Sequence, residues 1–337
     1  MNPSDPNTPT HQDLRSAAET IGPHAHRTPV LTSRTIDRRV GGRVFFKCEN
    51  FQRAGAFKFR GACNAVFSLS EEALASGVAT HSSGNHGQAL ALAASLRGVP
   101  AYVVMPENSP AVKVEAVKGY GGNVTFCEPT LKGRETTLGE VIDETGAREI
   151  HPFDEPLVIA GQGTAAMELL HEQPELDLIL APVGGGGLLS GTALAVEGEH
   201  GEEPGESTRA GSGTAATEIR VIGAEPALAD DALRSLRAGS LQTIDTTRTI
   251  ADGLRTTLSP RTFTLISRHV DDIVTVEEHS IIEAMRFVWE RMKIVIEASA
   301  AVPVAALLEG RIETEGRRIG VILSGGNVDL TRLPWQD

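Results

Sequence analysis

The feature that most constrains this chain of 337 residues is a repeated succession of apolar strand, small-residue turn and helix. Residues 77–106, "GVATHSSGNHGQALALAASLRGVPAYVVMP", and residues 176–196, "LDLILAPVGGGGLLSGTALAV", both follow this pattern. Further apolar strands read "GRVFFKCE", "IRVIGAEP" and "RIGVILSGGN". Such repeats predict an α/β fold in which mostly parallel sheets are flanked by helices. Ligands of these sheets bind at the carboxyl ends of the strands, so the turns there are the candidate sites.

The turn "VGGGGLL" carries four consecutive glycines, Gly184, Gly185, Gly186 and Gly187. Without Cβ atoms the backbone can approach a ligand closely, and the N-terminus of the following helix favours negative charge. The loop therefore predicts a phosphate cradle. A tight turn without a ligand and a nicotinamide dinucleotide site are the alternatives that the loop alone leaves open.

Lys58 lies between Phe57 and Phe59 in "RAGAFKFRGACNAV", residues 53–66. A lysine can keep its ammonium in water while its stem covers apolar surface, and this stretch alone favours that interpretation. The alternative is an amine that must lose its charge to act as a nucleophile or a base. The other motifs of the chain favour this second interpretation.

Two further turns concentrate small polar groups. "HSSGNHGQ", residues 81–88, places Ser82, Ser83, Asn85 and His86 immediately before a helix. A serine there can cap the helix, but so dense a cluster more often lines a site. "LSGGN" follows the last strand, where Ser324 is either part of an ordinary strand exit or a hydrogen-bond partner for a neutral ring nitrogen.

Composition limits the partners and the compartment. Lys plus Arg number 31 against 44 for Asp plus Glu, a net charge of −13, which argues against nucleic acid or an anionic membrane as partner. The N-terminus shows neither a basic region nor an apolar run, and "IVIEASAAVPVAALL" is too short and too interrupted to span a bilayer. Three cysteines without paired spacing suit packing roles in a reducing compartment. We expect a soluble cytoplasmic protein.

The chain is long enough for two domains. We predict a large cofactor-binding domain from residues 1–76 and 151–337, and a small, mobile substrate-side domain from residues 77–150. Residues 197–218, rich in Gly, Glu, Ser and Thr, predict a flexible surface insertion in the large domain.

A series of motifs in order along nearly the whole chain resembles one family. They are "RTPVLTS", "FFKCENFQ", "FKFRGA", "THSSGNHGQALA", "IAGQGT", "PVGGGGLLSG", "RTIADGLRTTL", "VWERMK" and "LSGGNVDL". The chain resembles the serine racemase and serine/threonine dehydratase family of fold-type II pyridoxal-phosphate enzymes. The resemblance implies two domains with mostly parallel sheets, pyridoxal 5'-phosphate in the cleft and a homodimer. Ala56 departs from the family, which usually has Ser before the "FK" pair.

The resemblance also implies roles for single residues. Lys58 would hold the cofactor as a Schiff base and take the α-proton of the substrate, with Ser83 on the opposite face of the cofactor. Further cofactor contacts would come from Phe57 beside the ring, Asn85 at the 3′-hydroxyl, Gly184 to Gly187 at the phosphate and Ser324 at the pyridine nitrogen. The implied substrate-side residues are Ser82, Ser83, His86, Arg134 and Thr256.

Two accessory sites are implied as well. In "AEPALADD", the carboxylates of Glu225 and Asp231 and the Ala229 carbonyl match a site for Mg²⁺, Mn²⁺ or Ca²⁺ in metal-activated members. Without the resemblance, the stretch indicates an acidic helix start with Pro226 in the first turn. Positions that hold an ATP effector at the dimer interface of animal racemases match Lys113, Tyr120, Met292 and Lys293. The alternative there is an ordinary subunit contact.

The resemblance leaves the reaction open between elimination and racemisation. Phe153 and Thr256 depart from the animal racemases and favour β-elimination, whereas the metal residues favour racemisation. The chain ends soon after "LSGGNVDL", so we expect no regulatory domain of the biosynthetic threonine dehydratase kind. We predict an ammonia-lyase acting on L-serine, L-threonine or a related β-hydroxy amino acid. Serine racemase with side dehydratase activity and threo-3-hydroxyaspartate dehydratase are the alternatives, and a nicotinamide oxidoreductase or a nucleotide sensor would be different classes.

Overall fold

The computed structural model of the chain describes residues 8–200, 219–244 and 248–336. Of the predicted surface insertion, residues 197–200 belong to a helix, and residues 201–218 lie outside the described residues.

Ten strands and twelve α-helices lie in the described ranges. The strands are β1 (Val30–Thr32), β2 (Arg43–Cys48), β3 (Val78–His81), β4 (Ala101–Pro106), β5 (Asn123–Cys127), β6 (Arg148–Glu149), β7 (Leu178–Pro182), β8 (Arg220–Pro226), β9 (Asp272–Val276) and β10 (Arg318–Leu323). The helices are α1 (His11–Ile21), α2 (Arg34–Val40), α3 (Lys58–Ser68), α4 (Asn85–Arg97), α5 (Ala111–Gly119), α6 (Leu131–Thr145), α7 (Pro156–Glu172), α8 (Gly187–His200), α9 (Asp231–Ala238), α10 (Pro260–His269), α11 (Glu278–Met292) and α12 (Ala298–Leu308).

The strands form two sheets. The larger sheet has the order β1-β2-β10-β7-β8-β9, and all its neighbours are parallel except the antiparallel edge pair β1–β2. The smaller sheet has the order β5-β4-β3-β6 and is entirely parallel. The predicted α/β class with mostly parallel sheets is confirmed. The smaller sheet takes its strands from residues 78–149, which lie within the predicted small domain.

Helices cover both faces of each sheet because the central strands, such as β4, β7 and β10, are apolar on both sides. One core of the larger sheet joins it to α2, α11 and α12, and the other joins it to α1, α7, α8, α9 and α10. The smaller sheet packs on α3, α4 and α5 on one side and on α6 on the other. Among the described residues, no helix is both long enough and apolar enough to cross a membrane.

Helix α3 is held against α7 by close backbone contact and by buried charge. A Cβ added to Gly161 would lie 2.6 Å from the Gly61 Cα, so only glycine permits this crossing. Beside it, the fully buried guanidinium of Arg60 donates to both carboxylate oxygens of Glu49, at 2.7 and 2.8 Å, and to both of Glu168, each at 2.8 Å. Paired charges of this kind are costly to break singly, so the start of α3 has a well-defined position.

Candidate active site

The candidate site forms where the strands β2, β10 and β7 end side by side. The turn after β10 is tied to the segment that precedes α3, because Ala56 bridges to Gly325 and the Phe57 N–H donates to the Ser324 carbonyl at 2.9 Å. The glycine turn follows the neighbouring strand β7. Parallel order therefore brings together motifs that lie far apart in the sequence.

Lys58 is the first residue of α3, and its Nζ donates a hydrogen bond of 2.7 Å to the Pro152 carbonyl. The Nζ lies 5.1 Å from the centroid of the Phe57 ring, whereas Phe59 is fully buried in the core beside the smaller sheet. Of the two phenylalanines that flank Lys58 in the sequence, only Phe57 therefore has its ring near the amine. Burial of the amine lowers the pKa of Lys58 to about 8, which suits an amine that must lose its proton.

The four glycines of the turn after β7 leave no room for side chains. A Cβ on Gly185 would lie 2.4 Å from the Phe153 ring, and Gly186 has a φ of +86°, a conformation that favours glycine. A Cβ on Gly184 would lie 2.9 Å from the Leu254 Cα. Helix α8 begins at Gly187, and the first N–H groups of a helix have no intrahelical acceptor. The close contacts explain why the turn needs glycine, and the N–H groups at the start of α8 are donors of the kind that a phosphate group would need.

Asn85 opens α4 within a buried polar network that includes two residues the sequence did not single out. Its Nδ2 donates to Glu297 Oε1 at 2.8 Å, and its Oδ1 accepts from Asn327 Nδ2 at 3.0 Å. Burial raises the pKa of Glu297 to about 8, so its carboxyl group is largely protonated at neutral pH. A lone acidic residue in the apolar run "IVIEASAAV" was the available signal for Glu297.

Two histidines, His86 and His151, lie near enough to Lys58 to feel its charge, and His81 packs against His151. His86 Nε2 lies 3.0 Å from the Ile150 carbonyl, so this nitrogen carries the proton, and Nδ1 has no partner in the described part of the chain. Burial, with smaller effects of nearby positive charge including that of Lys58, lowers the pKa of His86 to about 3 and that of His151 to about 4. Burial likewise lowers the pKa of His81, whose ring meets the His151 ring edge-on. The sequence indicated only His86.

The serines of the turn before α4 do not cap that helix. Gly84 occupies the N-cap position without a side-chain hydrogen bond, so the capping alternative for Ser82 and Ser83 is wrong. Ser82 Oγ accepts instead from the Gly84 N–H at 3.3 Å, and Ser83 is half-buried. Ser324 is buried at the end of β10. Thr256 is exposed. It lies beside the glycine turn, because a Cβ added to Gly184 would be 3.3 Å from the Thr256 Oγ1.

Arg134 lies on α6, half-buried, on the side of the smaller sheet. Its Nε is buried and has no hydrogen-bond partner among the described residues. Its positive charge is close enough to His81 to contribute to the lowered pKa of that ring. An unpaired guanidinium N–H near the histidine cluster is a candidate anchor for an anion.

The candidate cation site lies at the turn between β8 and α9. The carboxylate of Glu225, at the end of β8, accepts from the backbone N–H groups of Ala232 and Leu233 at 3.3 and 2.8 Å, and Asp231 Oδ2 is buried without a partner in the described ranges. Burial raises the pKa of Glu225 to about 9 and that of Asp231 to about 6. Pro226 ends the strand, so its alternative place in a first helical turn is wrong.

These oxygen ligands fit a hard cation that would neutralise two buried carboxylates. A turn at Ala227–Ala229 separates the two acidic residues and places the Ala229 carbonyl between them in the chain. No cluster of three or more His, Cys, Asp or Glu side chains suited to a metal occurs in the described ranges. A cation here would therefore complete its shell with backbone carbonyl groups and water.

The residues implied for a nucleotide lie on two helices. Lys113 is in α5, where it pairs with Asp252, and Tyr120 caps the end of that helix. Met292 ends α11, and Lys293 follows with its Nζ donating to the Glu290 carbonyl at 2.6 Å. The three cysteines, Cys48, Cys63 and Cys127, are free and buried, as expected for packing roles.

The Lys58 amine and the glycine turn both contact residues 152–153, an arrangement that suits a ligand with an aldehyde at one end and a phosphate at the other. The family model for pyridoxal-phosphate dependent enzymes matches residues 21–325. This chain therefore belongs to the pyridoxal-phosphate dependent enzymes, in the fold-type II group.

Individual relatives agree with this assignment. A β-hydroxyaspartate dehydratase of Paracoccus denitrificans is 47% identical over 327 residues, which cover 97% of this chain and 99% of the relative. A serine racemase of Dictyostelium discoideum is also 47% identical and covers 97% of each chain. The structure of maize serine racemase matches with a TM-score of 0.90 at 44% identity, over 96% of this chain and 95% of that one.

Proposed function

We propose that the protein is a pyridoxal-phosphate dependent ammonia-lyase that converts a β-hydroxy amino acid such as L-serine or L-threonine into a 2-oxoacid and ammonia. The observation that carries the proposal is the placement of the Lys58 amine on the Pro152 carbonyl, one residue before the Phe153 ring that packs against the glycine turn. The similarity to hydroxyaspartate dehydratases and serine racemases supports this reaction class.

The residues present fit the cofactor. Gly184 to Gly187 would receive its phosphate, Phe57 and Ser324 would border its ring, and Asn85 would reach the 3′-hydroxyl. When bound, pyridoxal phosphate joins substrate amines through its aldehyde and withdraws electrons from the bonds of the α-carbon. Because Ser324 offers a neutral hydroxyl and not a carboxylate, it cannot stabilise a full positive charge on the ring nitrogen. We infer that rapid loss of a leaving group is favoured over a long-lived carbanion.

Proton transfer is assigned to Lys58. Its free amine takes the proton from the substrate α-carbon, since at a pKa of about 8 a useful fraction is unprotonated near neutral pH. The β-hydroxyl would then leave as water with a proton donated by the cofactor phosphate, and addition of water to the released imine would give the 2-oxoacid and ammonia. Ser83 would face the substrate from the other side, where delivery of a proton gives the D-amino acid. Serine racemisation is thus the alternative outcome of one site.

A substrate with a second carboxylate is favoured by one observation. The buried Arg134 Nε without a partner in the described ranges could donate to a side-chain carboxylate, as threo-3-hydroxyaspartate carries. Relatives named β-hydroxyaspartate dehydratase and L-threo-3-hydroxyaspartate ammonia-lyase, 47% and 46% identical, support this candidate.

The test is to incubate the holoenzyme separately with L-serine, L-threonine and L-threo-3-hydroxyaspartate, and to measure the 2-oxoacid and the D-isomer independently. We expect 2-oxoacid to exceed D-isomer. More D-serine than pyruvate would contradict the lyase assignment and favour the racemase. If hydroxyaspartate is the preferred substrate, Arg134→Met should raise its KM at least about tenfold and leave the KM of serine nearly unchanged.

We further propose that Mg²⁺, Mn²⁺ or Ca²⁺ binds to Glu225, Asp231 and the Ala229 carbonyl. The unpartnered Asp231 Oδ2 and the raised pKa values of both carboxyl groups support a cation that replaces protons.

ATP binding through Lys113, Tyr120, Met292 and Lys293 is a proposal that rests on the matched positions. It would require Lys113 to exchange Asp252 for a phosphate. A cytoplasmic homodimer and the division at residues 77–150 also stay predictions from the sequence.

A further inference from the structure

The turn of residues 151–154, between β6 and α7, contacts both functional elements of the site. The Pro152 carbonyl accepts the hydrogen bond from Lys58 Nζ. The next residue, Phe153, lies against the glycine turn, because Cβ atoms on Gly185 and Gly187 would be 2.4 Å from its ring and 3.1 Å from its Cβ. A displacement of this turn would therefore change the surroundings of the amine and of the phosphate cradle together.

The side chain of His151 stabilises the turn by accepting hydrogen bonds from the turn's own backbone. The Nδ1 of His151 accepts the backbone N–H of Asp154 at 2.8 Å, with a longer contact of 3.4 Å to the Phe153 N–H. Only a neutral imidazole can accept in this way, and burial keeps this ring neutral above about pH 4.

The far end of the turn is held by Arg261 of α10, a residue outside all the recognised motifs. Its Nη1 donates to the Asp154 carbonyl at 2.7 Å and to Asp154 Oδ1 at 2.5 Å. The Arg261 side chain is only 18% exposed, so water competes weakly for this contact. Among the described residues, Arg261 forms these hydrogen bonds with Asp154 and none with Lys58 or the glycines.

The same helix also contacts the glycine turn, which makes α10 a common support. A Cβ on Gly186 would lie 2.8 Å from the Thr262 Cβ and 3.0 Å from the Ile266 Cδ1. The start of α10 is fixed by a capping box in which Ser259 Oγ accepts the Thr262 N–H at 3.1 Å and Thr262 Oγ1 accepts the Ser259 N–H at 2.9 Å. The backbone at Arg261, which lies between the two capping residues, therefore has a fixed position.

We propose that Arg261 is a positioning residue: through Asp154 and the 151–154 turn it sets the Pro152 carbonyl that holds Lys58 and the Phe153 ring that borders the phosphate cradle. This inference rests on the proposed function only in taking Lys58 as the cofactor-bearing amine. It extends the site to a residue on a helix that contributes none of the implied catalytic side chains.

The experiment measures the Lys58 amine directly. In the apoprotein, trace acetylation of Lys58 is followed by peptide mass mapping between pH 6 and 11, and the midpoint of its pH dependence is compared among Arg261→Met, Arg261→Lys and the wild type. Arg268→Met is the matched control, since Arg268 is an exposed arginine on the same helix. Affinity for pyridoxal phosphate and kcat are measured on the same proteins.

We expect Arg261→Met to raise the labelling midpoint by about one pH unit, because water reaches an amine that the turn no longer encloses. We also expect about a tenfold loss of cofactor affinity and a lower kcat, with partial recovery in Arg261→Lys. Arg268→Met should match the wild type. A midpoint and an affinity in Arg261→Met equal to those of Arg268→Met would overturn the proposal.

Two further measurements keep the outcome decisive. If Arg261→Met lowers the melting temperature strongly, the milder Asp154→Asn must shift the midpoint in the same direction for the proposal to stand. The labelling needs no substrate. A wild type that is inactive on every hydroxy amino acid would therefore contradict the proposed function without contradicting the positioning role of Arg261. A shifted midpoint in Arg261→Met would still support the positioning role.

Discussion

At the scale of single residues, the chemistry depends on what burial does to ionisable groups. Burial lowers the pKa of Lys58, His86 and His151, so these groups lose their charge at lower pH than usual. Burial raises the pKa of Glu297, Glu225 and Asp231, so these groups keep their protons to higher pH than usual. The sequence indicated Lys58 and the candidate cation ligands Glu225 and Asp231 because they lie in recognisable motifs. It did not indicate Glu297 or His151, since their roles arise only when α12 and the 151–154 turn fold against Lys58 and Asn85.

The lowered pKa of Lys58 predicts how the apoprotein takes up its cofactor. Only the neutral amine attacks an aldehyde, so the rate of capture should rise about tenfold between pH 7 and pH 9 and level off above the pKa of about 8. Stopped-flow absorbance after mixing with pyridoxal phosphate measures this rate. A free alkylamine under the same conditions is the control, and its rate should continue to rise towards pH 10. A capture rate that follows the free amine would show that Lys58 has an ordinary pKa.

At the scale of elements, periodicity and turn chemistry were sufficient for most of the fold. The predicted strands correspond to β2, β3, β4, β7, β8 and β10, and the helices of the two strand–turn–helix repeats correspond to α4 and α8. Helix α8 extends further than predicted, because the chain remains helical to His200 and the insertion was expected from residue 197. Contacts such as Arg261 to Asp154 join residues 107 positions apart and leave no periodic signal in one sequence.

The turn between β8 and α9 provides the prediction at this scale. A divalent cation at 100 times its Kd should stabilise the fold by about 2.7 kcal/mol, and a chelator should remove that gain. Binding should tighten as pH rises from 6 towards 9, because protons with pKa values of about 6 and 9 must leave Asp231 and Glu225. Thermal unfolding with Mg²⁺, Mn²⁺, Ca²⁺ and chelator measures the effect.

Asp231→Asn is the test variant for this turn, and Asp230→Asn is its control. Both lose one carboxylate, but Asp230 pairs with Arg234 at 2.7 Å, whereas Asp231 Oδ2 is buried. Asp231→Asn should abolish the cation-dependent rise in melting temperature, and Asp230→Asn should retain most of it. An equal response of the two variants would exclude Asp231 as a ligand.

At the scale of the whole molecule, the site exists because two sheets share one helix. Helix α3 packs on α7 beside the larger sheet and on α4 beside the smaller one, and Lys58 stands at its first residue. The order β2-β10-β7 then puts the Ser324 turn against the segment before α3 and the glycine turn at the adjacent strand end. The strand pattern predicted the sheets, but it could not give the strand order, which depends on long-range packing.

The central claim is that the Lys58 amine is joined to an aldehyde-bearing cofactor. Borohydride reduction of the holoenzyme, followed by digestion and peptide mass mapping, tests it most directly. The prediction is a reduced pyridoxyl-phosphate adduct on the peptide with Lys58 and none on that with Lys47, a buried lysine whose Nζ is paired with Glu168 at 2.6 Å. An adduct on another lysine, or no visible chromophore after soaking with pyridoxal phosphate, would contradict the account.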